Sequence, residues 1–186
     1  MLSRTSIRFY KGWTENLSES QPYDTEAIFN RFIYQFIAFN FLYRKISPLS
    51  KNVRDRQAAV KGVYTFFGEE GCTQFIKQVD PRDLEEIIHI IEGKEFYISF
   101  NSKGSYQRSH DEEILKNLKS KETFEKCEGI FTAIYKVRCN LFHGNKLFDP
   151  RQSQLLEPLN RILEKLNAYL YQKLLDSGTN FDKAYF

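Results

Sequence analysis

Residues 24–46 read DTEAIFNRFIYQFIAFNFLYRKI, and this stretch decides the fold class. Ile28, Phe32, Gln35, Phe36, Phe39 and Tyr43 recur at helical spacing, and Pro48 stands just beyond the end of the pattern. The apolar surface is so broad that two faces of this helix are expected to be covered. Its longest apolar run, Phe32 to Tyr43, is interrupted by Gln35 and Asn40 and falls well short of the roughly 20 residues that span a bilayer. A membrane protein is therefore not expected.

Outward from this helix, Pro and Gly fall between periodic apolar segments and seldom inside them, which predicts a chain of helices. A second helix is expected from about Val53 to Phe67, closed by Gly68, and a short third from Cys72 to Val79. Pro81 suits a first helical position, with Asp80 as cap and Gly93 after the end. From Lys94 to His110 the helical period stops, and KEFYISFNSKGSYQRSH combines a β-prone piece with a Gly and Ser turn, a long loop or small hairpin near 94–110. Asp111 to Leu118, Lys121 to Phe142 and Pro150 to Leu175 complete the series, with Pro158 as a kink or a later start of the last helix. The expected organisation is an N-terminal extension (1–21), one all-α domain (22–176) and a C-terminal tail (177–186).

Composition agrees with one globular domain. Of the 186 residues 41% are hydrophobic, including 17 Phe and 11 Tyr, ample apolar surface for a core and incompatible with disordered or fibrous classes. The N-terminus lacks an apolar block before a small-residue cleavage site, so a cytoplasmic location is expected. Cys72, Cys127 and Cys139 form neither an even disulfide set nor a CxxC pair and read as small buried hydrophobes; neither a metal site nor a cofactor is expected. The net charge of +3 is too mild to announce nucleic-acid binding. Its distribution says more, because Arg44, Lys45, Lys51, Arg54 and Arg56 cluster against a single Asp, a patch that would steer a phosphate backbone or else simply face water.

The chemistry concentrates near the end of the penultimate helix. Phe124, Cys127, Phe131, Ile134 and Leu141 form an apolar stripe, and Arg138 falls on it, four residues after Ile134. A guanidinium among apolar neighbours needs a carboxylate, a subunit boundary or an anionic ligand, or else it snorkels to water. His143 follows five residues later, beside Gly144. Along a straight helix five residues are about 7.5 Å and about 140°, so unwinding at Gly144 or a second copy of the helix must bring the two together. Cleaving RNA through its own 2′-hydroxyl requires a base for that proton and a donor for the leaving 5′-oxygen, which histidine supplies near neutral pH. Arginine binds two phosphate oxygens in a fork as negative charge grows. His89, within Ile87, Ile88, Ile90 and Ile91, reads as a core-edge residue, and His110 as a surface or capping residue.

The segment Ile134-Tyr-Lys-Val-Arg138-Cys-Asn-Leu-Phe-His143-Gly-Asn-Lys146 resembles the Arg-x4-6-His signature of the HEPN (higher eukaryotes and prokaryotes nucleotide-binding) superfamily, here with four intervening residues. Phe32 to Tyr43 resembles the long first helix of its prokaryotic members. The resemblance implies an up-and-down helical bundle that forms a homodimer through the motif helix. It also implies a metal-independent ribonuclease of toxin–antitoxin, abortive-infection or antiviral defence systems, with an antitoxin or nucleotidyltransferase partner plausible. By motif match Arg138 and His143 would be catalytic, with Asn140, Asn40 and Lys146 as auxiliary candidates. Asn40 reads equally as a hydrogen-bonded core amide. Many members carry Asn, Asp or His directly after the arginine, where this chain has Cys139. The alternative is a catalytically silent module of the same fold that binds nucleotide, RNA or a partner protein.

Overall fold

Helix boundaries follow from where the chain places its caps and breakers. The computed structural model describes residues 25–47, 53–94, 97–101, 104–142 and 152–178. In chain order these form α1 (Thr25–Ile46), a single turn α2 (Asp55–Gln57), a π-helical turn (Ala58–Gly62) that leads into α3 (Val63–Ile76), α4 (Pro81–Glu92), α5 (Arg108–Lys119), α6 (Thr123–Phe142) and α7 (Gln152–Asp176). The fold is an all-α bundle. No helix among the described residues is long and apolar enough to cross a membrane. The expected extension over residues 1–21 lies outside the described residues, as does the tail beyond residue 178.

The first and last helices form the central seam. Ile28, Phe32, Phe36 and Phe39 of α1 and Leu159, Leu163, Leu166 and Leu170 of α7 are all buried in one core, and Phe29 at one edge of the α1 stripe with Ala38 and Leu42 at the other widens its buried surface. Two buried amides set the register. Asn160 Nδ2 donates to the Ile28 carbonyl at 3.0 Å and Asn167 Nδ2 to the Gln35 carbonyl at 2.9 Å. Both partners advance by seven residues together, so α1 and α7 run parallel.

Several boundaries differ from the sequence expectation for identifiable reasons. Gly68 (φ 64°, ψ −176°) is not helical and closes the expected second helix, but the third follows it directly across a kink instead of starting at Cys72, so both lie within Val63–Ile76. Pro158 is neither the start of α7 nor a break, since the carbonyl its ring leaves unbonded belongs to Gln154, which is exposed to water. Asp80 caps α4 as expected, its Oδ1 accepting the Arg82 N–H at 2.9 Å with Pro81 at the first position. The left-handed residue after α4 is Lys94 (φ 55°), not Gly93. His89 is exposed on α4 rather than at the core edge, because it points away from the buried Ile87, Ile90 and Ile91.

The α5–α6 pair packs closely because Gly129 of α6 lies under the end of α5. A Cβ at this position would stand 2.9 Å from the Leu118 backbone nitrogen. The stretch before α5 is a small hairpin joined by one antiparallel bridge, Phe100 to Tyr106. The Asn101 N–H donates to the Ser105 carbonyl and the Gln107 N–H to the Ser99 carbonyl, at 3.0 and 2.9 Å. Gln107 hands the chain directly to α5, which therefore starts at Arg108, three residues before the expected Asp111.

Candidate functional site

Helix α6 carries polar groups on two opposite faces, and each face meets a different part of the molecule. Toward α1, Tyr135 is nearly buried and its ring lies 6.4 Å from that of Phe36. One turn further on, the half-buried Arg138 sets its guanidinium carbon 5.4 Å from the centre of the same Phe36 ring. The aromatic face supplies part of the electrostatic compensation that a guanidinium on an apolar stripe requires.

Beside it lies a carboxylate held by two tyrosines. Asp55 accepts the Tyr43 hydroxyl on Oδ1 at 2.7 Å and the Tyr135 hydroxyl on Oδ2 at 3.1 Å. Burial, then the hydrogen bond to Asp55, pushes the Tyr43 hydroxyl far above its usual range. Tyr135 is raised chiefly by burial, with Asp55 adding to it and Arg138 opposing it. Tyr135 thus stands in the fields of both Asp55 and Arg138, and the clamp joins α1, α2 and α6 at that point.

The opposite face looks toward α5 and the hairpin. Asn140 is buried, and its Nδ2 donates to the Ile98 carbonyl at 2.6 Å. The Ile98 N–H donates to Oδ2 of Asp111, itself only 3% exposed. One loop residue is therefore held from both sides, by α6 through its carbonyl and by α5 through its amide. One turn before Asn140, Lys136 is half-buried and lines a cavity of about 70 Å³ with Arg56, His110, Glu113, Glu128 and Thr132. Desolvation, then the neighbouring Arg56, depresses the Lys136 ammonium below its usual pKa.

The sequence-derived candidates fall as follows. Arg138 is placed as described, whereas His143 and Lys146 lie outside the described residues. Asn140 has its donor committed to the hairpin, a structural bond that the reading as an auxiliary catalytic residue did not foresee. Asn40 is half-buried, and its Oδ1 is enclosed without a hydrogen-bond partner among the described residues. Of the basic patch, Arg44, Arg54 and Arg56 are exposed, Lys45 lies 5.0 Å over the Phe41 ring, and Lys51 lies outside the described residues. The one acid within that patch, Asp55, is the tyrosine-clamped carboxylate. His110 belongs to the first turn of α5 and lines the cavity, rather than capping or standing free in a loop.

Sequence reasoning missed Asp55, Tyr43, Tyr135, Asp111 and Lys136. Tyr135 and Lys136 had a legible signal, since both flank Arg138 within one turn of the same helix; the others become partners only through contacts across the chain. Among the described residues no group of three or more His, Cys, Asp or Glu converges as a metal site. Cys72 and Cys127 are buried neighbours, with the Cys127 thiol 3.8 Å from the Cys72 carbonyl oxygen across α3 and α6. Compared with known proteins, the chain matches no family model, no curated protein and no solved structure.

Proposed function

We propose that the protein is a metal-independent endoribonuclease that cleaves RNA by attack of the 2′-oxygen on the adjacent phosphorus, as a toxin or antiviral defence effector acting in the cytoplasm as a homodimer through α6. The observation that carries this reading is the position of Arg138, half-buried in the last turns of α6 against Phe36 and five residues before His143. In the proposed reaction His143 serves proton transfer while the Arg138 guanidinium neutralises the charge that builds on the two non-bridging oxygens. The 2′-oxygen loses its proton and bonds to phosphorus, the bond to the 5′-oxygen breaks, and that oxygen leaves protonated. The products carry 2′,3′-cyclic phosphate and 5′-hydroxyl ends. Tyr135 and Asp55 support the arginine's setting, since Tyr135 lies one turn before it and is anchored by the carboxylate.

The second reading, a catalytically silent module that binds RNA, nucleotide or a protein, draws support from the residues after the arginine. Cys139 brings no strong polar group there, and Asn140 is occupied by the Ile98 carbonyl. Incubating wild type, His143→Ala and Arg138→Ala with mixed tRNA and unstructured RNA in excess EDTA separates the two. Cleavage by wild type alone, leaving cyclic phosphate ends, is the outcome expected for the nuclease. Intact RNA that is nevertheless bound, equally by all three folded proteins, favours the silent module.

A further inference from the structure

The cavity at Lys136 and the base of the hairpin meet at the same turns of α5 and α6. Thr132, Lys136 and Asn140 succeed one another at four-residue steps along α6, so Lys136 stands one turn, about 6 Å, from the residue that holds Ile98. On the α5 side His110 lines the cavity and the adjacent Asp111 holds the Ile98 amide. The cavity wall and the hairpin base are thus the same pair of helical turns.

The hairpin presents a stack of two tyrosines next to the held Ile98. Tyr97, adjacent to the doubly held Ile98, packs on Tyr106 with ring centres 4.1 Å apart and planes inclined by 35°, and Phe100 backs Tyr106 at 6.2 Å. Both tyrosines remain exposed, 39% and 36%, among the few large apolar side chains that face water in the described residues. The anchoring of Ile98 by two buried side chains means that these rings are positioned by the scaffold and not by a free loop.

The cavity contributes charge. Arg56 and Lys136 are close enough for the guanidinium to depress the ammonium, and among the described residues neither forms an ion pair. Arg56 is exposed and Lys136 half-buried, so both are open to an anion that approaches from water. Two carboxylates line the same cavity. Glu113, exposed to water, and Asp111 favour the Lys136 ammonium and oppose the effect of Arg56, while Glu128 lies two helical turns from Lys136, about 12 Å along α6. The cationic corner is therefore at the end of the cavity nearest the hairpin.

We infer that the Tyr97–Tyr106 stack and the Arg56–Lys136 corner form one subsite for a nucleotide of single-stranded RNA, with a base continuing the tyrosine stack and its flanking phosphate bridging the two cations. Sequence-tolerant binding of single strands combines these two elements, ring faces for bases and a basic groove for the backbone. The inference rests on the RNA-directed reading above and adds how the strand is held, away from Arg138 on the other face of α6.

The test uses the intact protein and a fluorescein-labelled 2′-O-methyl oligouridylate, which binds as single-stranded RNA and has no 2′-hydroxyl to attack. Fluorescence anisotropy is expected to show binding that Tyr97→Ala or Tyr106→Ala weakens roughly tenfold to a hundredfold, while Tyr97→Phe and Tyr106→Phe retain most of it. Lys136→Met is expected to weaken binding and to lower the slope of log affinity against log salt by about one. Circular dichroism confirms that each variant is folded, and the phenylalanine variants guard against a purely structural effect. Unchanged affinity in both alanine variants overturns the subsite, and if wild type still cleaves RNA the nuclease reading survives. Binding that depends on the tyrosines without any RNA cleavage keeps the subsite and overturns the nuclease. A protein that neither binds nor cleaves RNA, but self-associates in a way that Tyr97→Ala abolishes, overturns both and makes the stack a contact between copies of the chain.

Discussion

The α1–α7 seam and the α6–hairpin corner both bury asparagine amides, yet they use them differently. In the seam, Asn160 and Asn167 each donate to a carbonyl that already accepts a bond within its own helix. These amides add register to a contact that Leu159, Leu163, Leu166 and Leu170 make in any case. At the corner, Asn140 donates to the carbonyl of Ile98, a loop residue outside any helix, and Asp111 accepts that residue's amide. There the polar side chains replace secondary structure. The seam is built for cohesion, while the corner holds an irregular segment that carries two exposed rings.

The contrast is sharpest in what a core truncation would cost. Leu163 is fully buried three residues after Asn160 and four before Asn167, on the stripe that faces α1. Leu163→Ala is expected to lower the free energy of unfolding by about 2–5 kcal/mol, read from urea denaturation, because neighbouring helices held in register close only partly over the void. An equally severe global loss from Tyr97→Ala at the corner would break the comparison.

How far the sequence carried this picture depended on whether a feature repeats along one helix. The seam was legible from Ile28, Phe32, Phe36 and Phe39 and from Leu155, Leu159, Ile162, Leu166 and Leu170, because a 3.6-residue period survives any choice of partner. Asp80, Pro81 and the end of α4 were legible for the same local reason. The hairpin was legible only as an interruption. That Asp111 accepts the Ile98 amide across 13 residues, or that Asn140 reaches it across 42, is fixed by which helices become neighbours, and no local pattern records it. Arg138 was found because a charge on an apolar stripe is anomalous by itself. Asp55 was hidden because one acid among basic residues resembles an ordinary solvated surface until two tyrosines from other helices arrive.

The Asp55 clamp sharpens the comparison through pH. Burial and the Asp55 contact raise the Tyr43 hydroxyl, and burial chiefly raises Tyr135, so the folded state prefers both as neutral phenols. A group whose folded pKa lies above its unfolded value stabilises the fold fully below the unfolded value, about 10 for tyrosine, and loses that contribution as pH rises beyond it. Thermal unfolding is expected to be flat in this respect to about pH 9 and to move to lower temperature above about pH 10. Tyr43→Phe is expected to cost roughly 1.5–3 kcal/mol at neutral pH, the range for a hydrogen bond to a charged group. The same variant should flatten the alkaline fall. An alkaline fall as steep in Tyr43→Phe as in wild type would show that the destabilisation does not arise at Tyr43.

Matched substitutions of Asn167 and Asn140 put the comparison itself to the test with the smallest effects. Both amides are buried, 2% and 5% exposed, and both donate one hydrogen bond to a carbonyl, so a count of lost bonds assigns them equal cost. Their partners differ. Without Asn167, the Gln35 carbonyl keeps its bond within α1, and Asn167→Ala should cost roughly 0.5–1.5 kcal/mol, the net worth of one exchanged hydrogen bond. Without Asn140, the buried Ile98 carbonyl loses its described donor, and the cost rises to roughly 1–3 kcal/mol, the penalty for a desolvated orphan. That penalty is paid where the hairpin meets α6, so the chain has a cheaper escape than global unfolding: the hairpin lifts and the carbonyl finds water. Amide exchange should therefore accelerate at Ile98 and Gln107 in Asn140→Ala and stay uniform in Asn167→Ala. Uniform exchange in both variants would mean that Asp111 alone fixes the hairpin, and that Asn140 is a seam residue like the others.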